Sequence, residues 1–331
     1  MENTSKIPLI LSEIAGLWNS YMSDTMISCV LKYFLNNVDD NEIRVIVQQI
    51  LDLTDKHIQE VTTIFNQEKL TIPEGFSDKD VNINTPRLFD DSFYLNYLCF
   101  MSRSAMHNYT LALNQIARSD IRAFFSKRIY ESVDLYNNSA DIKLSKGIFI
   151  KAPRVEVTKG INYVKSQSFI TDWFGEKRPL LAIEITHVFT MIFANIVGKA
   201  ITTAFGQVTK GKKISNYFFE GTDIATEHIC QLTGLLANEG IPIPSSSDSF
   251  VTSSVASPFS EKLMLSHLMA LSSCGISSLG MAMADTIRSD LEATYIKYID
   301  ETMKYSKKGV NIMIDNGWLQ QPPQAVKHEN L

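Results

Sequence analysis

From Ile7 to about Asn37 the apolar positions Ile10, Ile14, Leu17, Trp18, Tyr21, Met26, Val30 and Phe34 step by three and four, with one slip near Tyr21. That period predicts an amphipathic helix with a broad buried stripe. Asp39-Asp40-Asn41 supplies a stop and the next N-cap. A second helix is expected from about Glu42 to Lys69, ending before Ile72-Pro73, because proline disfavours helical geometry in the residue before it. Thr71 to Pro86 holds Pro73, Gly75, Asp78, Asn82, Asn84 and Pro86, the composition of an extended connection. A third helix follows from about Leu88 to Ile116. Ser119 is expected to cap a fourth, Asp120 to about Ser145, with Asp120 near its positive end and Gly147 as its stop.

The same pattern then returns. Lys56-His57-Ile58 through Glu68 to Ile72-Pro73 is matched by Glu227-His228-Ile229 through Glu239 to Ile243-Pro244, at a constant offset of 171. Glu13 matches Glu184 at that offset. One deletion in the connection reduces the offset to 170, at which Ser77-Asp78 matches Ser247-Asp248, Arg118-Ser119-Asp120 matches Arg288-Ser289-Asp290, and Gly147 matches Gly317. The repeat is a whole domain copied once, which excludes solenoids built from short units. The expected division is residues 1–153 for a first four-helix bundle and 154–179 for a linker. Residues 180–323 make a second bundle and 324–331 a polar tail. Val157, Tyr163, Phe169, Trp173 and Phe174 predict that the linker is packed rather than loose.

Four helices of about 28 residues are each about 40 Å long. A connection of about 16 residues can extend to about 50 Å, so the link between helices two and three can travel the bundle's length. That order puts His57 and Glu131 about three turns from the same end, and Glu13 in one layer with Arg118 and Asp120. An up-down-up-down bundle would leave His57 without a recurrent partner. The fold class expected is therefore all-α: two tandem ferritin-like bundles, each with one long crossover.

Composition agrees and narrows the function classes. The chain has 331 residues, 45% of them hydrophobic, with only 15 Gly and 10 Pro, enough for two helical cores. A net charge of −5 gives no electrostatic case for nucleic acid. The N-terminal residues lack the layout of a signal peptide. The longest apolar runs, such as Leu180 to Ile185, are broken by Glu184 or His187, so no membrane span is expected. Cys29, Cys99, Cys230 and Cys274 lie in helical patterns without Cys-x-x-Cys spacing, which predicts buried thiols in a reducing, cytoplasmic setting.

A ferritin-like bundle raises the question of a carboxylate-bridged pair of metals, which needs Glu-x-x-His on two helices. Thr54 and Ala225 stand three residues before His57 and His228, while Asp134 and Lys304 stand three after Glu131 and Glu301. The two-metal set is incomplete. Two smaller candidates remain: His57 with Glu131 and His228 with Glu301, and a second set of Glu184, His187 and His267. The first copy has Gly16 and Tyr97 where the second has His187 and His267. Each histidine–carboxylate pair reads first as a hydrogen bond that satisfies two buried polar groups. No cofactor is the first expectation; the alternative is iron, manganese or zinc at these residues. No P-loop, Gly-x-Gly-x-x-Gly or Gly-x-Ser-x-Gly is present.

Several longer stretches carry a family resemblance. They are Lys56-His57-Ile58 with Ile72-Pro73, Ala117-Arg118-Ser119-Asp120-Ile121-Arg122, Phe174-Gly175-Glu176-Lys177-Arg178-Pro179-Leu180, and Ile314-Asp315-Asn316-Gly317-Trp318-Leu319-Gln320-Gln321-Pro322-Pro323. The chain resembles the tandem ferritin-like proteins of spore-forming bacteria classed as domain of unknown function 3231, some of them described as candidate spore coat proteins. The resemblance implies spore association and no settled chemistry. The function expected is thus a non-catalytic structural or interaction protein, with protein partners or further copies of itself. The alternative is a metal-binding protein.

Overall fold

The computed structural model describes residues 7–170, 177–243 and 250–325. Among them are eight α-helices: α1 (Leu11–Asn37), α2 (Asn41–Gln67), α3 (Asp91–Leu113), α4 (Ser119–Ser145), α5 (Ala182–Val208), α6 (Lys212–Asn238), α7 (Glu261–Asp285) and α8 (Ser289–Asp315). The chain is all-α and built on two repeats. Local chemistry explains most of the boundaries. The Asp40 carboxylate accepts from the amides of Glu42 and Ile43 at the start of α2, and Asp90 accepts from Phe93 at the start of α3. Gly147 and Gly317, just past α4 and α8, sit at φ +70° and +67°, where a side chain would be strained.

Ser119 is not the cap residue of α4. Arg118 occupies that position without a side-chain capping bond, and Ser119 is the first helical residue. In the second repeat the Ser289 hydroxyl donates to the Ile170 carbonyl, 3.1 Å away. A buried glutamate from the first helix of each repeat instead holds the turn that leads into this start. Glu13 Oε1 accepts from the amides of Ala117 (3.0 Å) and Arg118 (2.8 Å), and its other oxygen from Ile10. Glu184 likewise accepts from Leu181 and Ile287.

These bonds also fix the topology. The start of α1 meets the start of α4, so the two helices run the same way and the segment between α2 and α3 must cross the bundle's length. The Arg118 guanidinium closes this end by donating to Glu68 at 2.5 Å and to Asp120 at 2.7 Å. Arg288 does the same with Glu239 (2.5 Å) and Asp290. Arginine and glutamate thus meet at one end in each repeat, although the guanidinium pairs with Glu68 and Glu239 rather than with Glu13 and Glu184. Arg178, unmatched in the first repeat, forks both oxygens of Glu184 at 2.9 and 2.8 Å.

Two compact units partition the chain differently from the repeats. The first takes residues up to Phe149, then Thr252–Met264, and the chain from Met313 on; the second takes Ile150–Val251 and Leu265–Ile312. Helices α7 and α8 therefore each divide between units. In the first unit, Leu17, Val61, Phe65, Ile121 and Phe125 form one core cluster, flanked by Trp18 and Tyr109. The later segments join this unit at the crossover. Asn82 donates its amide to the Pro258 carbonyl (2.7 Å), Thr252 to Leu88 (3.0 Å) and Ser260 to Asp80 (2.9 Å), around an antiparallel bridge between Val81 and Phe259. The Phe259 ring meets Tyr33 edge-on at 5.3 Å, and Gln320 Oε1 accepts from the Glu74 amide at 3.1 Å.

In the second unit, Ile185, Val188, Met191, Leu232, Leu291 and Tyr295 belong to a separate core that also gathers Ile150 and Val155. Here α6 and α8 approach through two glycines. Tyr305 fills the space a Cβ on Gly221 would need, and Tyr217 fills that on Gly309. The two rings stack at 4.4 Å. Val157 and Tyr163 of the linker are 67% and 81% exposed, whereas Phe169 lies under the Arg178 guanidinium at 4.4 Å. Trp173 and Phe174 lie outside the described residues. Helices α5 and α7 are long and apolar enough to cross a membrane by length and composition, which a count of uninterrupted runs missed. Both feed the second unit's core, through Ile185, Val188 and Ile192 and through Leu279 and Ala282. A helix that feeds a protein core needs apolar residues of the same kind.

Candidate functional site

Both first-set pairs meet. His57 on α2 is buried, and its Nε2 lies 2.8 Å from Glu131 Oε2 on α4. His228 on α6 repeats this with Glu301 Oε2 on α8, also at 2.8 Å. Each carboxylate has a lysine one helical turn earlier: Lys127 Nζ is 3.8 Å from Glu131, and Lys297 is 3.6 Å from Glu301. Burial opposes ionisation of Glu131, yet the hydrogen bond and charge of His57, with Lys127 and Arg128, hold its carboxyl below the usual glutamate value.

Around this shared pair the repeats diverge. In the first, Arg128 is fully buried and donates to Asp24 and to Ser20 at 2.7 Å each, and to the His57 carbonyl at 3.2 Å. Its guanidinium lies over the Phe124 ring at 3.9 Å. Asp24 Oδ1 stands 4.0 Å from the second ring nitrogen of His57, which leaves the imidazole between two carboxylates. In the second repeat the matching residues are Tyr298 and Asn195. The Tyr298 ring stacks on His228 at 3.8 Å, and its hydroxyl donates to Gln231. A charged interior layer has an aromatic counterpart.

Glu184, His187 and His267 are not gathered. Glu184 is held by Arg178 and two backbone amides. His187 pairs with Asp285 at 3.0 Å. His267 is buried beside the Phe205 ring, 6.0 Å between centroids. Among the described residues no three His, Cys, Asp or Glu side chains converge as metal ligands would. The two-metal set therefore does not fit these bundles. The thiols also differ from expectation. Cys29 and Cys99 are buried, and burial foremost pushes Cys29 up to about 12, but Cys230 is exposed.

Lys127, Lys297, Arg128 and Asp24 were not singled out by sequence reasoning. The two lysines do recur at the offset of 170, one turn before each glutamate, and that signal was available. Arg128 and Asp24 do not recur, so internal repetition could not reveal them.

Comparison with curated proteins finds no match. A solved structure of a candidate spore coat protein from Bacillus halodurans C-125 aligns with a TM-score of 0.42 at 14% identity, over 47% of this chain and 100% of that one. The family described as protein of unknown function (DUF3231) matches residues 1–161 and again residues 168–331. Those two matches follow the duplication read from the sequence, and the chain belongs to that family.

Proposed function

We propose that the protein is a non-catalytic structural or interaction protein, spore-associated, whose two ferritin-like bundles act on protein partners or on further copies of the chain. One observation carries this reading. The candidate polar residues shared by both repeats are engaged in holding helices together: His57 with Glu131, His228 with Glu301, and Glu13 and Glu184 at the helix starts. An imidazole already bonded across a core to a carboxylate satisfies both groups. The spore setting rests on the family resemblance of the motifs. Fractionation of sporulating cells of the source organism tests it, and recovery only from the mother-cell cytosol would refute it.

A second reading, binding of iron, manganese or zinc by the histidine–carboxylate pairs, is favoured by Asp24, which adds a second carboxylate beside His57. Metal analysis of untagged protein after repletion separates the two. The structural reading expects no stoichiometric metal and melting curves indifferent to chelator. The metal reading expects bound metal that is lost in His57→Ala or His228→Ala, and stability that depends on it.

A further inference from the structure

Residues 80–88 and 252–260, one part of each crossover, meet inside the first compact unit, and their contact has a symmetry. Asn82 donates to the Pro258 carbonyl and Thr252 donates to the Leu88 carbonyl. Asn82 to Thr252 and Leu88 to Pro258 are both steps of 170, the offset of the repeat. Each bond is therefore the other with its partners exchanged. That is the mark of an isologous contact, in which one patch serves on both sides. Across 81–89 and 251–259 only Val81 with Val251 and Phe89 with Phe259 are identical at that offset. The symmetry accordingly resides in the backbone path rather than in the side chains.

We propose that the crossover is a homotypic docking edge whose partner is a second copy of the same repeat. Backbone that presents amides and carbonyls outside helices, as these turns and isolated bridge do, is a template for another such stretch. In this chain duplication supplies both halves, and a tethered partner is present at an effective concentration on the order of millimolar. Pairing within one chain therefore prevails over pairing between chains.

Hydrogen–deuterium exchange on the full chain tests this with two grafts: residues 81–89 copied into 251–259, and residues 251–259 copied into 81–89. A homotypic edge keeps the amide at position 252 in the first graft, and at 82 in the second, within threefold of wild-type protection. Asn82→Pro in the wild-type background should speed exchange at Thr252 at least tenfold, and Thr252→Pro should do the same at Asn82, because both bonds belong to one contact. A folded graft whose crossover exchanges at random-coil rates overturns the proposal, as do proline variants that act independently. If a single graft fails to fold, the reciprocal exchange of both segments in one chain, which retains every side chain, decides. A chain that folds with protected crossovers supports the edge; one that does not fold, or leaves them unprotected, refutes it.

Discussion

Taking the imidazole from His57 leaves Glu131 without its hydrogen-bond partner and Asp24 facing an empty volume beside Arg128. Lys127 compensates only in part from 3.8 Å. His57→Ala should cost about 2–4 kcal/mol in urea unfolding, with or without chelator. Acid acts elsewhere. Burial pushes His267 down to about 4 from 6.5, and burial lowers His228 as well, with Glu301 opposing. As pH falls the unfolded chain takes up these protons first, so stability is complete above about 6.5 and lost as pH falls toward 4. For His267 alone the loss approaches about 3 kcal/mol. His267→Phe should flatten the acid limb between those pH values, measured by unfolding at pH 7, 5.5 and 4.5; an unchanged slope would assign the acid limb to other groups. At this scale the sequence revealed what recurs. His57 with Glu131 was legible because His228 with Glu301 repeats it, and the buried Arg128–Asp24 pair was not, because Tyr298 and Asn195 stand in its place.

Helices were legible to within a few residues, because the spacing of apolar side chains and the positions of Asp40, Gly147 and Gly317 have direct local causes. The anchoring of the start of α4 was not, although its position was. The amides of Ala117 and Arg118, just before the helix, are satisfied by Glu13, a residue 104 positions away from Ala117, and no window around Ser119 contains that information. The close approach of α6 and α8 was equally hidden, since it depends on Gly221 and Gly309 facing tyrosines on the opposite helix. A Cβ on Gly221 would sit 2.3 Å from the Tyr305 hydroxyl, and one on Gly309 would sit 2.4 Å from that of Tyr217. Both rings are held by their mutual stack and cannot swing aside freely. Gly221→Ala and Gly309→Ala should each destabilise by about 1–3 kcal/mol. Gly234→Ala, where nothing lies within 4 Å, should instead stabilise α6 by up to about 1 kcal/mol. Thermal melts of the three variants check the contrast.

Duplication was plain in the sequence at the scale of the whole molecule, while the exchange of segments was not, because repeats report ancestry rather than contact. Residues 1–160 carry their own apolar cluster and should express as a helical fragment. That fragment lacks Phe259 against Tyr33 and the amide partners of the first crossover. We expect near-native helicity by circular dichroism with a lower melting temperature. Adding a peptide of residues 250–264 should recover part of the difference, whereas a fragment that melts like the full chain would make the later segments dispensable to the first unit.

The same exchange governs the order of events during synthesis. Residues up to Phe149 leave the ribosome long before Thr252–Met264, and the segment from Met313 comes last of all. At roughly 5–20 residues per second, the roughly 100 residues between Phe149 and Thr252 take about 5–20 seconds. Helices can form within microseconds, so the first unit waits as a nearly finished body with the crossover and the Tyr33 side chain uncovered. A nascent chain in that interval is the form for chaperones to recognise, and the form in which two neighbouring chains on one message can capture each other's crossovers.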